Sequence, residues 1–88
     1  MRVKQGFVMR EVAGVGVVIA TGEASKAFHG MIKLNDTGQL IWRGLEEDLS
    51  VDEIVERMAS TYDVDPETAR ADVEEFLAKA REANLLDE

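Results

Sequence analysis

The chain has 88 residues, 45% of them apolar and 32% charged, with a formal net charge of −8 and no cysteine. Those values describe one small globular domain with a modest core, and they exclude a disulfide framework, a thiolate nucleophile and a cysteine-ligated metal. The longest apolar run, residues 15–20, is far short of a membrane span, and the start of the chain lacks the apolar segment of a secretory signal, so a cytoplasmic protein is expected. The charge divides unevenly. Residues 1–33 carry five basic and two acidic residues, and residues 34–88 carry five basic and sixteen acidic ones, an asymmetry that often accompanies an interaction surface.

Residues 7–12 (Phe-Val-Met-Arg-Glu-Val) and 16–20 (Gly-Val-Val-Ile-Ala) are rich in β-branched and large apolar side chains, and Ala13-Gly14 between them supplies a turn. The spacing predicts a hairpin. Its alternation is poor, so both sides of the ribbon are expected to be partly covered. Gly14-Val15-Gly16 lacks the third glycine, the Lys-Ser/Thr pair and the following helix of a nucleotide-binding loop. After a polar connection over residues 21–28, a short third strand at 30–34 places Ile32 and Leu34 on one face and Met31 and Lys33 on the other. A strand this short reads as a sheet edge, where unpaired N–H and C=O groups are open to a partner.

The second half is helical. Asn35 caps a helix over 36–46, whose apolar positions include Leu40, Ile41 and Leu45 with Trp42 beside them. This segment reads as structural. Ser50 and Glu53 have the spacing of a capping box, and Leu49 with Ile54 that of a hydrophobic staple, opening a helix over 50–62. Asp65 followed by Pro66 opens a third helix over 66–83, with Ala69, Val73, Phe76, Leu77 and Ala80 as its stripe and Asn84 as a left-handed cap. The expected fold is a single α+β domain over 1–88, with order β-β-β-α-α-α: a three-stranded antiparallel sheet followed by three helices, as in winged helix-turn-helix proteins.

No catalytic constellation is present: His29 is the single histidine, and neither Ser25 nor Ser50 sits in a nucleophile elbow. Asp63, Asp65, Glu67 and Glu74 resemble part of a calcium loop, but Pro66 interrupts it and Thr68 stands where the loop needs glycine. The chain reads as a non-enzyme with no cofactor and no metal. Nucleic acid is disfavoured because the second and third helices are each net acidic, whereas phosphate neutralisation requires basic residues.

The order and spacing of several short motifs resemble the PqqD family, named for the pyrroloquinoline quinone synthesis protein D. They are GFVMREVAG near the start, Leu34-Asn35-Asp36-Thr37-Gly38 followed by Ile41-Trp42 and Leu45, Ser50 to Val55, Tyr62 to Asp65, Asp72-Val73 with Phe76-Leu77, and Leu85-Leu86. The resemblance implies a winged helix-turn-helix-like RiPP recognition element, a domain that captures the leader of a ribosomally made precursor peptide and presents it to a modifying enzyme, often a radical SAM enzyme. In that family the leader lies as an added strand between the third strand and the third helix. Carried onto this chain, the strand wall is His29, Gly30, Met31, Ile32, Lys33 and Leu34, and the helix wall is Arg70, Val73, Glu74, Leu77 and Arg81. Ile32, Leu34, Val73 and Leu77 would then receive apolar groups, while Lys33, Arg70 and Arg81 would favour an acidic leader. The helix end departs from the leucine and glycine that relatives tend to place there, having Ala80 and Asn84, which would loosen that end of the groove. Two readings remain beside this one: a general protein-interaction module and a winged-helix transcription regulator. A monomer is expected, with pairing of the third strand to its counterpart in a second copy as a competing use of the edge.

Overall fold

A computed structural model of the chain describes residues 2–27 and 30–87. Three strands, β2 (Phe7–Val12), β3 (Val15–Ala20) and β4 (Met31–Leu34), form an antiparallel sheet in the order β2-β3-β4. Three helices follow: α2 (Asp36–Glu46), α3 (Val51–Tyr62) and α4 (Pro66–Glu82). This is the α+β architecture expected from the sequence. The additions are a single helical turn, α1 (Ala24–Ala27), inside the polar connection, and a two-stranded pair of β1 (Arg2–Val3) with β5 (Leu86–Asp87) that ties the two ends of the chain together.

The hairpin turn is made by Ala13 and Gly14, both at positive φ (52° and 80°), the left-handed pair of a type I′ turn whose twist suits two strands. In a two-residue hairpin the closing pair, here Val12 and Val15, exchanges both backbone hydrogen bonds, and such pairs then alternate along the ladder. Val15, Val17 and Ile19 therefore direct their backbone groups to β2, and Gly16 and Val18 direct theirs toward the β4 side. The Gln39 amide is consistent with this. The orientation that satisfies both of its ends has Nε2 donating to Glu11 Oε1 at 3.1 Å and the amide oxygen accepting from the Gly16 N–H at 3.0 Å. The opposite orientation gains only a 3.4 Å contact to the Leu34 carbonyl and sets a donor against the Gly16 N–H.

The helix ends follow the capping residues. Asn35 Oδ1 accepts from the Gly38 N–H at 2.9 Å, Ser50 and Glu53 exchange both bonds of a capping box, and Asp65 accepts from the Glu67 N–H. At the end of α4, Asn84 takes φ 62°, its N–H reaches the Arg81 carbonyl and the Leu85 N–H reaches the Ala80 carbonyl at 2.8 Å. That is a Schellman motif, completed without glycine because asparagine tolerates the left-handed region. It turns Leu85 and Leu86 back into the core, and Lys4 then anchors the end by donating its N–H to the Leu85 carbonyl and its Nζ to Asn84 Oδ1. So the end expected to be loose is tied.

Val18 and Leu34 from the sheet, Ile41, Trp42 and Leu45 from α2, Ile54, Val55 and Met58 from α3, and Ala69, Val73, Leu77 and Ala80 from α4 form one buried core. Each fully buried large side chain contributes about 1.5–3 kcal/mol by leaving water. Gly44 lets α2 and α3 approach closely: a Cβ placed there would lie 2.8 Å from Ile54 Cγ1. The sheet is covered on this side alone by the helices of the core. Phe7, Met9 and Ile32 pack against the core, whereas Val8, Val17 and Ile19 are only half-buried on the outer face.

Candidate peptide-binding groove

The alternation that turns Gly16 and Val18 toward β4 sets the backbone groups of Ile32 and Leu34 facing them, through the register Val18↔Ile32 and Gly16↔Leu34. The backbone N–H and C=O groups of Met31 and Lys33 then point away from β3, along the outer edge of the sheet. Among the described residues no strand pairs with that side. The positive φ of Gly30, 106°, sets the chain direction into this edge.

Beside the edge lies a groove of about 670 Å³. Ile32, Lys33 and Leu34 form its strand wall. Its helix wall is the flank of α4 formed by Asp72, Glu75, Phe76, Lys79, Ala80 and Ala83, at three- and four-residue spacing. The floor comes from Val18, from Leu85, and from the segment that opens α2, namely Asn35, Thr37, Gly38, Ile41 and Trp42. The Trp42 ring is wholly buried, and its Nε1–H has no acceptor among the described residues.

Two sequence expectations change here. The helix wall named from the sequence was Arg70, Val73, Glu74, Leu77 and Arg81, and none of these lines the groove. Val73 and Leu77 are core residues, 0% and 2% exposed, so their side chains are already filled against the rest of the protein. Arg70 is held on the opposite flank, where its guanidinium donates to Asp52 of α3 at 2.6 Å, which keeps the arginine firmly protonated. Glu74 is exposed beside Arg70, which feels its charge, and Arg81 is exposed with an interaction of its own. The periodicity of α4 located its buried stripe, but either flank of a stripe can face a sheet, and packing of α3 against the Arg70 side decides which one does. Phe76 carries the signal that points to this flank, being the single aromatic on a stripe otherwise built of Ala, Val and Leu. The second change concerns residues 35–42. They read as purely structural, yet five of them floor the groove.

Electrostatics shifts with the wall. Arg70 and Arg81 drop out, and the charged groups at the groove become Lys33 and Lys79 against Asp72 and Glu75, with Lys79 Nζ 3.3 Å from Glu75. The groove is therefore formally neutral, and the geometric basis for a preference toward acidic peptides is gone. On the strand wall, Met31 is 62% exposed, Gly30 is exposed, and Lys33 makes no ion pair among the described residues, while His29 lies outside them. No group of three or more acidic or histidine side chains that could hold a metal occurs among the described residues, and no helix there is long and apolar enough to cross a membrane.

The family described as coenzyme PQQ synthesis protein D (PqqD) matches residues 16–86, most of the chain and all of the groove. The chain belongs to the PqqD family. As a PqqD-family fold it superposes on a solved structure described as TbiB1 in complex with the TbiA(beta) leader peptide, with a TM-score of 0.81 and 25% identity, over 99% of this chain and 95% of that one. No curated protein matches the chain. The winged helix-turn-helix-like topology of this PqqD-family domain is thus shared over the groove, the sheet and all three long helices.

Proposed function

We propose that the chain is a non-enzymatic peptide chaperone that captures the leader of a precursor peptide as an added strand along β4, in the groove against α4, and presents it to a modifying enzyme in the cytoplasm. The observation that carries this reading is the vacant edge of β4 lying beside an apolar-floored groove. Backbone pairing at the edge supplies affinity without regard to sequence, each hydrogen bond contributing about 0.5–1.5 kcal/mol net. Side-chain selection falls to the groove, where alternate peptide residues would meet Ile32, Leu34, Phe76 and Ala80. The relative solved with a leader peptide, similar over the whole chain, supports the same use of the fold. The enzyme is a radical SAM enzyme on the precedent of the family.

The test is titration of the 15N-labelled chain with the leader of the precursor encoded beside its gene. Amide shifts are expected at residues 30–34 and along 72, 76, 80 and 83, with quenching or a shift of Trp42 emission. Perturbations confined to α3 would overturn the reading.

A further inference from the structure

The outer face of the sheet holds a second feature, which shares Lys33 with the groove and is otherwise separate from its lining. Cross-strand register places Val8, Ile19 and Met31 in one row, Arg10, Val17 and Lys33 in the next, and Val12 with Val15 in the third. Every residue in this grid is apolar or basic. Three of the four large apolar side chains left exposed among the described residues lie here, Val12 at 61%, Val15 at 42% and Met31 at 62%.

The cations on this face are equally distinctive. Of the ten basic residues, Arg2, Lys26, Arg43, Arg57, Arg70 and Lys79 each pair with an acid, Lys4 bonds to Asn84 and Arg81 has an interaction of its own. Arg10 and Lys33 alone make no hydrogen bond or ion pair with their side chains among the described residues, and they flank Val17 in the same row. In a chain of net charge −8, the two cations without a side-chain partner among the described residues are set on the sheet face that carries most of the exposed large apolar side chains described.

We propose that this outer face docks a second protein, the enzyme that modifies the captured peptide, through an apolar surface rimmed with carboxylates; the identity of that partner rests on the chaperone reading above. Two unpaired cations beside apolar side chains complement such a rim. A second copy packed face to face would set Arg10 and Lys33 against their own kind, and two cations are few for an anionic membrane or a nucleic acid, whose binding grows with the number of phosphates neutralised. Three strands about 4.8 Å apart, two of six residues and one of four, give a footprint of roughly 15 by 20 Å at its longest, the scale of the apolar centre of a transient interface. Position adds a reason. A peptide strand added at β4 continues this same face by one strand, so an enzyme seated on it would lie directly beside alternate side chains of the peptide.

The experiment titrates the purified modifying enzyme encoded beside the gene against the intact chain, without peptide, by calorimetry and sedimentation. Arg10→Glu with Val12→Asp alters exposed positions on the strand farthest from the groove, and circular dichroism reports whether the pair still folds. Enzyme affinity is expected to fall more than tenfold in the double variant, to weaken as salt rises past about 0.15 M, and to be unchanged in Glu56→Ala on α3. Leader affinity, measured separately, should stay within twofold, so failure of the chaperone reading and failure of the docking face are read in different titrations. The proposal is overturned if the enzyme does not bind, if a folded double variant binds it equally well, or if the face instead supports a dimer or adsorption to vesicles of equal phosphatidylglycerol and phosphatidylcholine.

Discussion

Replacing Phe76 by alanine separates the two flanks of α4. Phe76 is half-buried on the groove wall, while Arg70 sits on the other flank, tied to Asp52. Truncating a fully buried phenylalanine costs about 3–5 kcal/mol, so a half-buried ring costs about 2 kcal/mol of folding stability. A domain of this length holds about 4–13 kcal/mol, so Phe76→Ala remains folded, with a lower thermal midpoint. A peptide side chain packed on the ring would lose about 50 Å² of apolar contact, or about 1.3 kcal/mol, close to a tenfold loss of affinity. Arg70→Ala removes a pair exposed on both sides, where solvent screens the charges, so it should change stability little and leave peptide affinity within twofold. Both variants are to be titrated with the neighbouring leader peptide by Trp42 fluorescence and calorimetry, with midpoints from circular dichroism. Equal losses of affinity in the two variants, or no loss in a folded Phe76→Ala, would refute the assignment of the wall.

Three further substitutions test other parts of the fold. Gly44→Ala gains about 1 kcal/mol of helix propensity, but its Cβ would meet Ile54 Cγ1 at 2.8 Å at the α2–α3 crossing, an overpacking cost of about 1–3 kcal/mol, so the midpoint in a thermal or urea melt should fall. Ala13→Asn should raise that midpoint by about 0.5–1 kcal/mol equivalent, because Ala13 holds φ 52° at a type I′ position that asparagine tolerates better; a fall would contradict the turn assignment. Glu53 and Glu47 are held below the ordinary glutamate range, Glu53 by its hydrogen bonds from Ser50 and Glu47 by Arg57, so the unfolded chain binds more protons than the folded one as pH drops. Their stabilisation is present above about pH 4.5 and lost below it as the folded carboxylates protonate. The acid-side decline in melting temperature should therefore be shallower in Glu53→Gln, and an unchanged slope would sink that account.

How much of this was legible in the sequence depended on whether the signal was local. Asn35, Ser50 with Glu53, and Asp65 with Pro66 each announced a helix start, because a cap is satisfied by backbone groups two or three residues away. Ala13-Gly14 announced the hairpin for the same reason. The pairing of β1 with β5 was not legible, since two residues at each end carry no periodicity and are brought together by the Schellman turn at Asn84. The flank of α4 that lines the groove differs from the one named from the sequence for a related reason. Hydrophobic spacing gives the angular position of a stripe about its own axis, but not which neighbour lies to its left or right.

The outer sheet face shows the same boundary from the other side. Poor alternation in residues 7–12 and 15–20 read as a ribbon partly covered on both faces, because a sequence counts apolar residues without knowing which of them the helices reach. One row of helices covers one face. The inner residues Phe7, Met9 and Val18 pack on the core, and the outer set of valines, with Ile19 and Met31, is left for something else. An apolar outer face would favour aggregation in a domain that stayed alone, and ordinary surfaces carry polar residues there. Here the face instead carries the two unpaired cations of an acidic chain and lies next to the strand that would hold the peptide. On the proposed reading, affinity for the peptide would reside in the edge and groove and delivery in the face, so that one short strand, β4, would serve two partners on two different sides.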